Sequence, residues 1–104
     1  MWLKITDKEA DRESVTYITL RDISAVNITP AWYDTDNEQP KYEVRCFGIG
    51  RIVAKRVEVF QEKEDAEKFA INLLRVIGAD KKWLYEHEQA PEVIDVEDIK
   101  EGTY

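Results

Sequence analysis

One stretch of the chain limits its fold more than any other: an apolar stripe at helical spacing between residues 66 and 77. Apolar side chains recur there every three or four residues, at Ala66, Phe69, Ala70, Leu73, Leu74 and Ile77. This spacing places them on one side of an amphipathic helix. Acidic residues before the stripe favour a helix start, and Gly78 suits a helix end. The sequence therefore predicts a helix over residues 62–77, with Phe69 and Leu73 buried against a partner surface.

The first 60 residues are predicted to supply that surface, because apolar and polar residues alternate there with a period of two. Strands are expected near residues 2–5, 15–20, 24–29, 42–47 and 51–60. The second and third of these are expected to form a hairpin across Arg21 and Asp22. The alternation changes phase near Lys55 and Arg56, which indicates a β-bulge. A short second helix is expected after Asp80.

These elements predict an α+β domain, an antiparallel meander of about five strands over residues 2–60 that one long amphipathic helix closes. The order of elements over residues 2–78 is similar to that of pleckstrin-homology-like barrels. No residue or activity carries over from this resemblance, which concerns element order only. An open sheet with a helix across it is the alternative. We expect residues 1–85 to form a single compact domain and residues 86–104 to form an acidic C-terminal tail.

Charge is unevenly distributed along the chain, whose formal net charge is -7. Residues 86–104 hold seven acidic side chains and one basic one, whereas residues 41–56 hold five basic and one acidic. The tail also contains an apolar stretch that is a candidate for partner binding: Val93, Ile94, Asp95 and Val96. It could lie against the basic strands, add a strand to a sheet edge, or bind a basic partner. We expect a loosely docked tail that is competent to bind a partner.

The basic stretch is the second candidate binding site. Its members are Lys41, Arg45, Phe47, Arg51, Lys55 and Arg56. Cations and an aromatic ring on one sheet face suit phosphate contact and base stacking, as in single-strand nucleic-acid binders. The net charge of the chain repels a polyanion at long range. An ordinary solvated sheet face is therefore the preferred interpretation, and nucleic-acid binding is the alternative.

Residues suited to catalysis or metal binding are few. The chain has one cysteine, Cys46, and one histidine, His87, which stands between two glutamates. Zinc sites need several such ligands at short spacing. The Gly48–Gly50 segment lacks the third glycine of a dinucleotide fingerprint, because Val53 occupies that position. We expect no metal, no cofactor and no enzymatic activity.

The hydropathy of the chain indicates its location, and the scarcity of catalytic residues indicates its class of function. No apolar run approaches the roughly 18 residues that cross a bilayer, and the first residues become polar too early for a signal peptide. We therefore expect a cytoplasmic protein without a membrane partner. The preferred function is a small non-enzymatic protein-interaction or adaptor domain, with another protein as its partner. A small-molecule enzyme would require a deep pocket with converging polar groups.

Overall fold

A computed structural model of the chain describes residues 1–9, 11–32, 40–48, 55–86 and 93–102. The described strands are β1 (Trp2–Glu9), β2 (Arg12–Thr19), β3 (Ile23–Ala31), β4 (Lys41–Gly48), β5 (Lys55–Phe60) and β6 (Val93–Asp95). The helices are α1 (Lys63–Glu86) and α2 (Val96–Glu101), and a 3-10 turn covers Leu20–Asp22. The predicted α+β class is confirmed.

The strands form two sheets of three strands each instead of one meander. The first sheet has the order β2-β1-β6 and the second the order β3-β4-β5. All pairs are antiparallel except β1 with β6, which is parallel. Within the described part of the chain, these strands do not close into a barrel.

The predicted hairpin across Arg21 and Asp22 is wrong, because β2 pairs with β1 and β3 pairs with β4. The 3-10 turn between β2 and β3 carries the chain from one sheet to the other. Leu20 in this turn is fully buried, and its backbone N–H donates to the carbonyl oxygen of Met1 at 3.0 Å. The turn is therefore held against the start of β1, which directs β3 away from β2.

The long helix α1 begins one residue after its predicted start and continues well past its predicted end. Phe69 and Leu73 are buried, as predicted, and α1 packs on all three strands of the second sheet. Gly78 does not end the helix, and no separate helix begins after Asp80. Asp80 is fully buried, and its Oδ1 lies 2.9 Å from the α-amino group of Met1. This ion pair fixes the extra turns of the helix to the start of the chain.

Both sheets and both helices contribute to one apolar core. Its fully buried large side chains come from β1, the 3-10 turn, β4, α1, β6 and α2: Leu3, Ile5, Leu20, Val44, Leu73, Val76, Ile94 and Ile99. The β4–β5 pairing skips Val57, because Arg45 lies opposite Arg56 while Val44 lies opposite Glu58. This irregularity confirms the bulge predicted near Lys55 and Arg56. Residues 51–54 of that predicted strand lie outside the described residues.

Residues 93–102, which fall in the predicted tail, contribute to this core. The segment Val93–Asp95 pairs with Trp2–Lys4 of β1, and Ile94, Val96 and Ile99 are buried. Asp95 caps α2 in a capping box with Asp98, and Gly102 ends that helix at a φ of 70°. Of the arrangements expected for this segment, addition of a strand to the domain's own sheet is the one observed. Residues 87–92 and 103–104 lie outside the described residues.

Candidate interaction surface

The predicted basic stretch is divided between two neighbouring strands. Lys41, Arg45 and Phe47 lie on β4, and Lys55 and Arg56 lie on β5. The antiparallel register brings Arg45 opposite Arg56 and leaves Lys41 at the far end of β4, opposite Ala31. Arg51 lies outside the described residues. The structure therefore brings together Arg45, Lys55 and Arg56.

These three cations are paired with two carboxylates in what we call the charge cluster: Asp7, Glu43, Arg45, Lys55 and Arg56. The Nε of Arg45 donates to Glu43 Oε2 at 2.6 Å, and Nη2 of the same arginine also pairs with that oxygen. Arg56 contacts Glu43 at 3.9 Å and Asp7 at 3.7 Å, and Lys55 donates to Asp7 at 3.3 Å. The cations are thus largely neutralised.

The position of these carboxylates determines how much positive charge the cluster presents. The Glu43 side chain is only 6% exposed, so its charge is held close to the two arginines with little solvent screening. Asp7 belongs to β1, and its pairs with β5 connect the first sheet to the second. Three positive and two negative charges leave the charge cluster with an excess of one positive charge.

A different surface, on the first sheet, carries large exposed side chains. Side chains alternate between the two faces of a strand, and paired residues share a face. Leu3, Ile5, Ile18 and Ile94 of the first sheet point into the core. The residues that alternate with them form the opposite side, here called the outer face: Trp2, Lys4, Thr6, Val15, Tyr17, Thr19, Val93 and Asp95.

The outer face contains most of the exposed large hydrophobic side chains among the described residues. Seven such side chains are exposed, and four of them lie here: Trp2 at 46%, Val15 at 43%, Tyr17 at 51% and Val93 at 49%. Trp2 pairs directly with Val93, and Tyr17 lies two pairs further along the β1–β2 ladder, opposite Lys4 on the same face. These residues are therefore neighbours. A group of exposed apolar side chains of this kind is a candidate interaction surface.

The charges near the outer face are balanced, in contrast to the whole chain. Lys4 lies between Tyr17 and Asp95 in the register of the sheet, and Lys8 lies opposite Glu13. The Asp95 carboxylate also accepts a hydrogen bond from the backbone N–H of Glu97 at 3.1 Å. Two cations and two anions leave this region neutral, although the chain has a formal net charge of -7.

Among the described residues, cavities are found away from the outer face, and two of them are lined by charged side chains. The larger, about 760 Å³, has a lining that includes Glu62, Glu64, Asp65 and Glu67 near the start of α1. The smaller, about 270 Å³, lies between α1 and α2 and is lined by Phe60, Asp65, Lys68, Phe69, Asn72 and Lys100. These linings are dominated by carboxylates and amines, with the phenol of Tyr42 at the larger cavity and the amide of Asn72 at the smaller.

Lys100 at the smaller cavity has a shifted pKa. Partial burial lowers the pKa of this lysine, but its hydrogen bond and attraction to Glu58, together with Glu97, raise it by more. Its Nζ lies 2.7 Å from Glu58 Oε2 and 5.7 Å from the centre of the Phe60 ring. The ion pair of Lys100 with Glu58 therefore links α2 to β5.

The residues placed by the structure include no group of three or more metal-ligating side chains. Among them, no helix has the length and apolar character to cross a bilayer. No protein family, no curated protein and no solved structure matches the chain.

The candidate residues predicted within residues 41–56 lie on the second sheet, whereas the outer face belongs to the first. The sequence analysis did not single out Trp2, Val15 and Tyr17, which lie on β1 and β2, and it named Val93 only as part of the tail. The alternation of β1 and β2 was visible, but both faces of these strands carry apolar residues. Only the pairing of β6 with β1 and the packing of α2 show which face is covered.

Proposed function

We propose that this chain is a small non-enzymatic protein-interaction domain that binds another protein through the outer face of its first sheet. The observation that carries the proposal is the collection of Trp2, Val15, Tyr17 and Val93 on one side of three adjacent strands. Tyrosine and tryptophan combine a large apolar area with few rotatable bonds, which is why they are enriched at protein interfaces.

The charge distribution favours a protein partner over a nucleic acid. A nucleic-acid surface gains affinity by neutralising phosphates with many cations. The outer face is neutral overall, and the charge cluster of Asp7, Glu43, Arg45, Lys55 and Arg56 is largely self-neutralised. Weak binding of single-stranded RNA at physiological salt, with no loss on Arg45→Ala, is therefore expected.

The buried position of Cys46, at 3% exposure, fits a small apolar residue of the core. A lone thiol of this kind is compatible with the reducing compartments in which free cysteines predominate. We retain the cytoplasm as the proposed location.

Site-specific photo-crosslinking tests the interaction function. A benzophenone amino acid in place of Tyr17 should give discrete adducts with other proteins in native lysate. The matched control carries the same group at Ile71, which is 50% exposed on α1. Adducts that appear at position 17, fail at position 71 and are lost in a Trp2→Ser variant would support the proposal. Equal labelling from both positions, or none from position 17, would refute it.

A further inference from the structure

The α-amino group of Met1 is buried inside the domain against the carboxylate of Asp80. Met1 is only 9% exposed, and Asp80 is fully buried. The amino nitrogen lies 2.9 Å from Asp80 Oδ1. Within the described part of the chain, no other group forms an ion pair with this carboxylate, and its oxygens have no further hydrogen-bond partner. Each of the two charges therefore depends on the other for compensation in the core.

This ion pair lies where three parts of the fold meet. Met1 directly precedes β1, and its carbonyl oxygen accepts the hydrogen bond from the backbone N–H of Leu20 in the 3-10 turn. Asp80 lies on α1, two residues beyond Gly78, in the part of the helix that exceeds its predicted length. Met1 is thus held by α1 at its amino group and by the 3-10 turn at its carbonyl group. A change at the amino nitrogen acts first on the last turns of α1, residues 79–86.

Acylation of the nitrogen would remove the charge on which Asp80 depends. Acyl transfer from a thioester forms an amide bond to the nitrogen, which loses a proton as the thiol leaves. The amide is neutral, and the acyl group adds atoms at a position closed to solvent. Loss of one partner of a buried ion pair is strongly destabilising, because the other charge stays buried without compensation. Since Met1 is covered in the folded chain, such a modification would have to precede folding.

We propose that the free α-amino group of Met1 is an electrostatic anchor for the last turns of α1, and that N-terminal acylation, by removing its charge, releases those turns. With the amine free, the ion pair joins residues 79–86 of α1 to the start of β1. With the amine acylated, Asp80 becomes a buried carboxylate without a counter-charge, and these turns lose their attachment. The inference goes beyond the proposed function and does not depend on which protein binds the outer face.

Semisynthesis tests the anchor on the full chain, because the single cysteine, Cys46, allows a synthetic peptide of residues 1–45 to be ligated to residues 46–104. Three chains are compared: one with the free amine, one with an acetylated amine, and a des-amino chain in which hydrogen replaces the amino group. The des-amino chain loses the charge without gaining atoms. Both altered chains should melt about 10 °C or more below the free-amine chain, as expected for a broken buried ion pair in a domain of this size. A des-amino chain as stable as the free-amine chain would overturn the anchor, even if acetylation alone destabilised the fold by its bulk.

Asp80→Asn provides the reciprocal test, since it removes the other charge at nearly constant shape. It should lower the melting temperature about as much as loss of the amine does. Asp65→Asn, the same change at an exposed position of α1, is the matched control and should lower it by a few degrees at most. A des-amino chain that also carries Asp80→Asn buries neither charge and should melt above both singly altered chains, even where those are too unstable to fold. If it melts below both, the two groups do not act as a pair, which would overturn the inference.

Hydrogen exchange of the backbone amides locates the effect within the fold. In the acetylated chain, residues 79–86 should exchange at least about tenfold faster than in the free-amine chain, because local opening of these turns becomes easier. Residues 66–77, whose helix face packs on the second sheet, should keep their protection. Unchanged protection of residues 79–86, or an equal loss along the whole of α1, would overturn the release of its last turns.

Discussion

The charge cluster is conspicuous in the sequence but largely neutralised in the structure, whereas the outer face is inconspicuous in the sequence but exposed in the structure. Five cations within residues 41–56 make the first conspicuous in the sequence, yet Asp7 and Glu43 neutralise most of the charge of Arg45, Lys55 and Arg56. The outer face has no unusual composition, yet its aromatic and aliphatic side chains remain about half exposed. A run of like charge is thus a poor guide to a binding surface until its counter-charges are located.

The largest effect on stability is expected from removing residues 93–104, which contribute to both the outer face and the core. The deletion removes Val93 from the outer face and also the buried side chains of Ile94, Val96 and Ile99. The melting temperature should fall by more than about 10 °C, since each kcal/mol shifts a domain of this size by several degrees. Removal of residues 103–104 alone is the control. A shift of only a few degrees for the longer deletion would show that β6 and α2 are dispensable.

Leu73 and Leu74, adjacent on α1, allow the loss of a covered apolar side chain to be compared with the loss of an exposed one. Leu73 is fully buried, whereas Leu74 is 54% exposed. Leu73→Ala should lower the free energy of unfolding by about 2–5 kcal/mol through lost contacts and cavity formation. Leu74→Ala should change it by less than about 0.5 kcal/mol. Chemical denaturation measures both, and similar values for the two variants would contradict the packing of α1 on the second sheet.

The helix and strand patterns show what the sequence can predict. The spacing of Phe69 and Leu73 correctly indicated a buried helix face, and the change of phase near Lys55 correctly indicated a bulge. These are local patterns. The division into two sheets depends on contacts between distant residues, such as Leu20 with Met1 and Trp2 with Val93. No periodicity within β1 or β2 encodes those contacts, so the hairpin, the helix end and the outer face were not foreseen.

Removing the charge of Glu43 tests how far the charge cluster is self-neutralised. Glu43→Gln keeps the side-chain shape but leaves Arg45 and Arg56 without their shared carboxylate. The expected loss is about 1–2 kcal/mol, less than for a fully buried pair because both arginines are partly solvated. Glu13→Gln, an exposed acid on β2, is the control. Equal stability of the two variants in urea would show that the ion pairs of Glu43 with Arg45 and Arg56 contribute nothing to stability.

Replacing Gly78 and Gly102 with alanine should change the free energy of unfolding in opposite directions. Gly78 lies inside α1, where an added Cβ meets no atom within 4 Å, whereas Gly102 ends α2 at a φ of 70°. Gly78→Ala should raise the free energy of unfolding by about 0.5–1 kcal/mol, because alanine is the better helix former. Gly102→Ala should lower it by about 1 kcal/mol, because a left-handed backbone is unfavourable for alanine. Destabilisation by Gly78→Ala would restore the predicted helix end at that residue.

The smallest effect on stability is expected from replacing Lys100, the basic residue of the C-terminal segment. The expected attraction was between tail acids and basic strands, but the observed pair joins the single basic residue of residues 86–104 to Glu58 on β5. Because the side chain is about one-third exposed, Lys100→Met should cost less than about 1 kcal/mol. Lys63→Met, whose partner Glu67 lies at 3.9 Å, should cost a few tenths at most.

The pH dependence of this loss identifies its electrostatic part. Burial lowers the pKa of Lys100, but the stronger influence of Glu58 and Glu97 raises it above its ordinary value of 10.5. A raised pKa in the folded state means that the contribution is complete below 10.5 and declines as pH rises through the folded value. The difference in unfolding free energy between wild type and Lys100→Met should therefore be constant near neutral pH and shrink above pH 10.5. A difference that persists undiminished there would mean that contact of the lysine methylene groups with Phe60, and not charge, holds α2 to the second sheet.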